Sequence, residues 1–151
     1  MNGKTILFVE DNPEDRDLTL RALKKNHILN EIIVAPDGAA ALDLFFKPGG
    51  RYAGSDPAAF PAVILLDIKL PKIDGLEVLR RLRTDERTRL IPVVILTSSK
   101  EEQDLINGYK FGANSYVRKP VEFESFIAAV KQLKVYWLLL NEPPPASGRA
   151  E

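Results

Sequence analysis

The chain has 151 residues, 45% of them hydrophobic, enough for one globular domain of ordinary size with a single core. Lys plus Arg and Asp plus Glu both total 21, so no basic excess points to nucleic acid or an anionic membrane as partner. The absence of cysteine excludes disulfides, thiolate metal sites and cysteine nucleophiles, and the apolar run Ile6 to Val9, stopped by Glu10 and Asp11, is too short for a signal segment or a membrane span, so a cytoplasmic protein is expected.

Thr5 to Val9 (TILFV) reads as a strand ending in acid. Asn12 can cap the following helix, with Pro13 at its first position, Glu14 and Asp15 in its first turn, and Leu18, Ala22 and Leu23 as its apolar face. Glu31 to Ala35 (EIIVA) is a second strand. Asp37-Gly38 opens a helix packed through Ala40, Ala41, Leu44 and Phe45. Residues 47–61 (KPGGRYAGSDPAAFP) carry three prolines and three glycines and read as a long surface loop, of the kind that is either functional or mobile.

Val63 to Leu66 then run straight into Asp67, giving a buried strand with a carboxylate at its C-terminal end. Asp74 and Glu77 have capping-box spacing ahead of a helix carrying Leu76, Val78, Leu79 and Leu82, with Arg80, Arg81 and Arg83 toward the negative end of its dipole. Pro92 to Thr97 (PVVILT) is a fourth strand ending in hydroxyls. Ser99 and Glu102 repeat the capping spacing before a helix with Leu105, Ile106 and Tyr109, which Gly112 terminates. Ser115 to Arg118 is a fifth strand, stopped by Lys119-Pro120. A last helix over about 122–140 carries Phe126, Ile127, Val130, Leu133 and Trp137 at helical spacing. The polar, proline-rich residues 141–151 read as a disordered tail.

Five strands alternating with five helices predict an α/β fold: a doubly wound, five-stranded parallel sheet of order 2-1-3-4-5, a flavodoxin-like arrangement. One domain over residues 1–140 is expected. Ligand sites in such sheets form beyond the carboxyl ends of the strands, and this order brings Glu10 and Asp11 beside Asp67. Crowded carboxylates either raise a pKa or bind a cation, and oxygen-only ligands suit a hard ion, Mg²⁺ where phosphate is also a ligand. Thr97 and Lys119, from the ends of strands four and five, are placed to contact phosphoryl oxygens. A metal, a lysine and a hydroxyl around a carboxylate nucleophile are the parts phosphoryl transfer requires.

Glu10-Asp11, Asp67 followed by LPKIDG, Thr97, and Tyr116-Val117-Arg118-Lys119-Pro120 together resemble the receiver domain of bacterial response regulators, over roughly residues 5–140. The resemblance implies a regulatory phosphoacceptor domain, which takes part only in its own phosphotransfer and dephosphorylation. It takes a phosphoryl group onto Asp67 from the phosphohistidine of a sensor histidine kinase or a histidine phosphotransfer protein. It further implies that Asp11, Asp67 and the main-chain carbonyl of Lys69 ligate Mg²⁺ while Glu10 acts through water, that Thr97 and Tyr116 form a switch pair, and that the bond before Pro120 is cis. The loop at 47–61 and the ending KQLKVYWLLLN are similar to the single-domain regulators that partner bacterial phytochrome kinases. That similarity implies a homodimer.

Plainer roles stand beside these. A lone Asp67 would be a strand-end cap, Glu10 and Asp11 could cap the first helix, and Tyr116 could be an ordinary core aromatic. His27, the single histidine, belongs to a helix end on the surface. Lys69 departs from the uncharged residues often found two positions after the acceptor, which bears on the lifetime of the phosphorylated form. Val135, Tyr136, Leu138 and Leu139 make the last two helical turns apolar nearly all round and so require a cover, either a partner subunit or the loop at 47–61. With only a short tail after the last helix, the expectation is a single-domain regulator that signals through changed protein contacts. A phosphorylation-independent interaction module that keeps the fold is the alternative.

Overall fold

The computed structural model describes residues 5–25, 28, 30–68, 70, 72–97, 112, 115–118, 124 and 128. The expected apolar runs form β1 (Ile6–Val9), β2 (Ile32–Ala35), β3 (Val63–Asp67), β4 (Val93–Thr97) and β5 (Ser115–Arg118). All four pairings are parallel and the order is β2-β1-β3-β4-β5, as the alternation of strands and helices requires. Between them lie α1 (Pro13–Lys25), α2 (Gly38–Phe46) and α3 (Gly75–Thr84). Glu124 and Ala128, within the expected last helix, are helical and exposed. The helix expected from Ser99, the cis bond at Pro120 and the apolar ending Val135, Tyr136, Leu138 and Leu139 lie outside the described residues.

Each central strand is buried on both faces. Leu7, Val9, Ile64, Leu66, Val93 and Ile95 pack under α2 and α3. Their neighbours Ile6, Phe8, Val63, Leu65, Val94 and Leu96 form the opposite layer with Leu23 and Ile28. Side chains alternate along a strand, so both faces must be apolar where helices cover both, and the sequence reads as an unbroken run.

The helix starts follow their caps. Asn12 Oδ1 accepts the Asp15 N–H at 3.0 Å, Asp37 Oδ1 accepts Ala40 N–H at 2.7 Å and Asp74 Oδ1 accepts Glu77 N–H at 3.0 Å. The box at Asp74 is one-sided. Arg80 grips both oxygens of Glu77, at 2.9 and 2.6 Å, and Arg81 adds a third bond at 2.9 Å. Arg83 also leaves the helix surface: it donates to the carbonyls of Ile91 and Gly112, each at 2.8 Å, tying α3 to the turn before β5. Gly112 has the left-handed φ of 91° expected of a terminator.

One sequence expectation is corrected and another gains detail. Leu18 does not join the buried face of α1; it is 56% exposed, while Thr19 and Leu23 are buried. Residues five apart on a helix lie about 140° apart, so Leu18 and Leu23 cannot share a face. Residues 47–61 run largely over the surface, as expected, but send two rings into the core. Tyr52 and Phe60 are buried, stacked and edge-packed with Phe45 at centroid distances of 5.1 and 5.5 Å. The Arg87 guanidinium lies over the Phe60 ring and donates to the carbonyls of Tyr52, Ala53 and Ser55. These rings fill the layer beneath α2 and α3, at the end of the sheet where β1 begins, and the Tyr52 hydroxyl lies 3.1 Å from the Thr5 hydroxyl.

Tyr52→Ala should lower stability by about 3–5 kcal/mol in urea denaturation, as for a large core aromatic; a mobile surface loop would lose less than about 0.5 kcal/mol. Glu77 supplies an acid-dependent contribution. Its hydrogen bonds to Arg80, then those to Arg81, hold its carboxyl at about 2, below the usual 4.5. A lowered folded-state value stabilises above the unfolded pKa and is lost as pH falls through the folded one. The stability difference between wild type and Glu77→Gln should therefore be complete above pH 4.5 and vanish toward pH 2. Its size should be on the order of 0.5–1 kcal/mol, since the pair is partly solvated.

Candidate phosphoacceptor and metal site

The register of the sheet builds the site. Val9 is level with Leu66 across β1 and β3, which places Glu10 one step on, beside Asp67. Asp67 is level with Leu96 across β3 and β4, so Thr97 lies one residue further along the same edge. Thr97 is in turn level with Arg118, the residue before Lys119. Four strand ends thus converge on one edge, because parallel strands paired in step all finish together.

Carboxylate oxygens of Glu10, Asp11 and Asp67 all lie within 4.8 Å of one another. Glu10 and Asp67 are buried, 0% and 4% exposed, and Asp11 is exposed. Glu10 Oε2 accepts the Asn12 N–H at 3.2 Å, so the turn into α1 orients this buried acid. Oxygens around a Mg²⁺ ion in octahedral geometry lie about 3 to 4 Å apart, given ligand distances of roughly 2.1 Å. The three acids fit a small hard dication with little adjustment. Asp11, on the exposed side, leaves the cluster open to solvent.

The main chain beyond Asp67 is tightly packed. The Ile68 carbonyl accepts the N–H groups of both Leu70 and Gly75, at 3.1 and 2.9 Å, closing the turn that returns the chain to α3. Gly75 sits against the Asp67 carbonyl oxygen, where a Cβ would collide with it. The glycine of the LPKIDG segment is thus a packing requirement at the end of β3, a role that the motif alone does not reveal.

Of the residues singled out from the sequence, the structure brings together Glu10, Asp11 and Asp67 and sets the Thr97 backbone on the same edge. Tyr116 lies on β5, level with Ile95. The side chains of Thr97 and Tyr116, and all of Lys69, Lys119 and His27, lie outside the described residues. No helix among the described residues is long and apolar enough to cross a membrane.

The response regulator receiver domain pattern matches residues 6–131. The chain is 41% identical to a probable methanogenesis regulatory protein of Methanothrix harundinacea, over 92% of this chain and 86% of that protein. It is 38% identical to the response regulator Rcp1 of Synechocystis, over 89% of each; the Mn²⁺-bound structure of Rcp1 superposes with a TM-score of 0.70, covering 95% of this chain and 99% of that one. The structure of the bacteriophytochrome response regulator AtBRR is 51% identical, with a TM-score of 0.79 over 94% of this chain and 100% of that one.

Three like charges this close repel by roughly 1 kcal/mol per pair even at a water-like dielectric. In buffer free of divalent ions, Asp11→Asn should therefore melt higher than wild type, by about 1 kcal/mol of stability. Excess Mg²⁺ should raise the wild-type midpoint more than that of the variant and close the gap; equal shifts in both proteins would rule out Asp11 as a ligand.

Proposed function

The chain belongs to the response regulator receiver domain family of two-component phosphoacceptors, and from that premise we propose that Asp67 is its phosphoacceptor, charged by a histidine kinase of the phytochrome type. The observation that carries the assignment is the placement of buried Asp67 within 4.8 Å of two further carboxylates at the carboxyl edge of the sheet. An Asp67 oxygen attacks the phosphorus of a phosphohistidine in line. The P–O bond forms as the P–N bond breaks, and the leaving imidazole nitrogen keeps the electron pair and takes up a proton. Asp11, Asp67 and the Lys69 carbonyl would hold Mg²⁺, with Glu10 acting through water, and the ion would supply positive charge opposite the phosphoryl oxygens.

Lys119 and Thr97 contact the transferred group on this reading. The register that puts Thr97 on the edge beside Asp67, and level with Arg118, the residue before Lys119, supports both roles. Thr97 follows the new dianion, Tyr116 turns inward, and the face around β5 repacks, so that the phosphoryl group biases two conformations through contacts that only one of them makes. The acyl phosphate is lost by hydrolysis at the same site, at a rate on which Lys69 bears. The similarity to AtBRR and Rcp1, both covered nearly end to end, supports a phytochrome-type kinase as donor. Residues 1–140 then act as one cytoplasmic receiver unit with 141–151 as a tail, and the apolar ending at Val135, Tyr136, Leu138 and Leu139 supports self-association as a homodimer.

Incubated with Mg²⁺ and acetyl phosphate, the wild type should gain the mass of one phosphoryl group and Asp67→Asn none. Lys119→Ala should slow uptake by about a hundredfold, the loss expected when a charge-stabilising donor is removed. Failure of the wild type to take up phosphate from acetyl phosphate and from every purified histidine kinase, the phytochrome type included, would refute the assignment. Light scattering before and after phosphorylation reports the oligomer.

A further inference from the structure

The segment from Ile68 to Gly75, which leads from the acceptor to α3, is held at both ends in different ways. At its root the Ile68 carbonyl takes the Leu70 and Gly75 N–H groups. At its outer end the chain is pressed against the start of α2: Gly38 lies so close to the Ile73 carbonyl oxygen that a Cβ there would collide with it. Lys72, beside Ile73, stands at φ 67°, in the left-handed region that residues with a Cβ avoid. Its ammonium reaches Asp37 Oδ2 at 3.4 Å. Asp37 Oδ1 meanwhile caps α2 through Ala40 N–H at 2.7 Å. One carboxylate thus performs two tasks with its two oxygens. The Asp37 carboxyl is held below its ordinary value, first by the Ala40 N–H and also by Lys72.

The geometry points to Asp37 and Lys72 as positioning residues of the acceptor site: a latch between the α2 cap and the turn after Asp67 that keeps this turn closed over the root hydrogen bonds. Without the latch, the unfavourable Lys72 backbone has one less contact to hold it, and the outer turn can lift from Gly38. The root bonds at Leu70 and Gly75 would then open more often. Where the turn carries a ligand to the divalent ion, as the functional reading on which this part rests assigns through Lys69, opening weakens ion binding. Neither residue touches the ion or the phosphoryl group; both act through the main chain between them. The pair is solvated, with Lys72 69% and Asp37 15% exposed, so its effect is modest and screened by salt.

Asp37→Asn keeps an oxygen to cap Ala40 and loses only the charge, and Lys72→Met removes the cation while keeping the stem. Amide hydrogen exchange in metal-free buffer at Leu70 and Gly75 is the first readout. Both variants should exchange about two- to fivefold faster than wild type, the range an exposed ion pair supplies, with Lys72→Arg close to wild type and the difference shrinking in high salt. Mg²⁺ affinity by titration calorimetry should weaken by a similar factor in the same two variants. Unchanged exchange at both amides in Asp37→Asn and Lys72→Met overturns the latch. Faster exchange with unchanged Mg²⁺ affinity overturns its link to the site. A wild type that neither binds Mg²⁺ nor takes up phosphate removes the functional reading, and the exchange result then decides the latch alone.

Discussion

Three carboxylates held within 4.8 Å of one another, two of them buried, are the constraint around which this molecule is arranged. Like charge by itself does not favour the proximity of Glu10, Asp11 and Asp67. The hydrophobic burial of β1 and β3 imposes it, because parallel pairing of Val9 with Leu66 sets the two chain ends side by side whatever charges follow. The core therefore does work against electrostatics at this edge, and a dication is the natural counterweight.

The two ends of the sheet serve different purposes. At the carboxyl edge, charged and polar groups converge and glycine is needed at position 75 so that α3 can start against the Asp67 carbonyl. At the opposite edge the chain adds cover. The segment after α2 folds back so that Tyr52 and Phe60 form an aromatic plug with Phe45 of α2, sealed by Arg87 through three carbonyl contacts. Guanidinium suits that task because its planar fork serves several acceptors at once while its face lies on a ring.

The strands, their order and the acids at their ends are legible in the sequence alone. Those features are written locally: an apolar run of four or five residues, an acid where it stops, a capping residue, and an alternation that permits few topologies. The caps at Asn12, Asp37 and Asp74 were equally legible, since a cap joins residues three apart. Reading failed where a side chain had a choice of partners. Glu77 has the spacing of a capping box, yet two arginines one turn along compete for it and supply charge-assisted bonds that a backbone N–H cannot match. Leu18 is apolar yet exposed, because its angle around α1 turns it away from the face that Leu23 buries.

What tertiary structure alone decided is everything that rests on contacts between distant parts of the chain. Proline and glycine in residues 47–61 announce turns but carry no information on where Tyr52 and Phe60 go, and Arg87, far along the chain, gives no hint that it will hold them. The pairing of Lys72 with Asp37, and the seats of Gly38 and Gly75 on neighbouring main chain, depend in the same way on elements meeting in space. By itself the chain determined the sheet and the identity of the acids at its edge, because hydrophobic periodicity and strand ends are properties of adjacent residues. The fold decided how that edge is braced, because bracing is an interaction between segments that only burial of the core brings together.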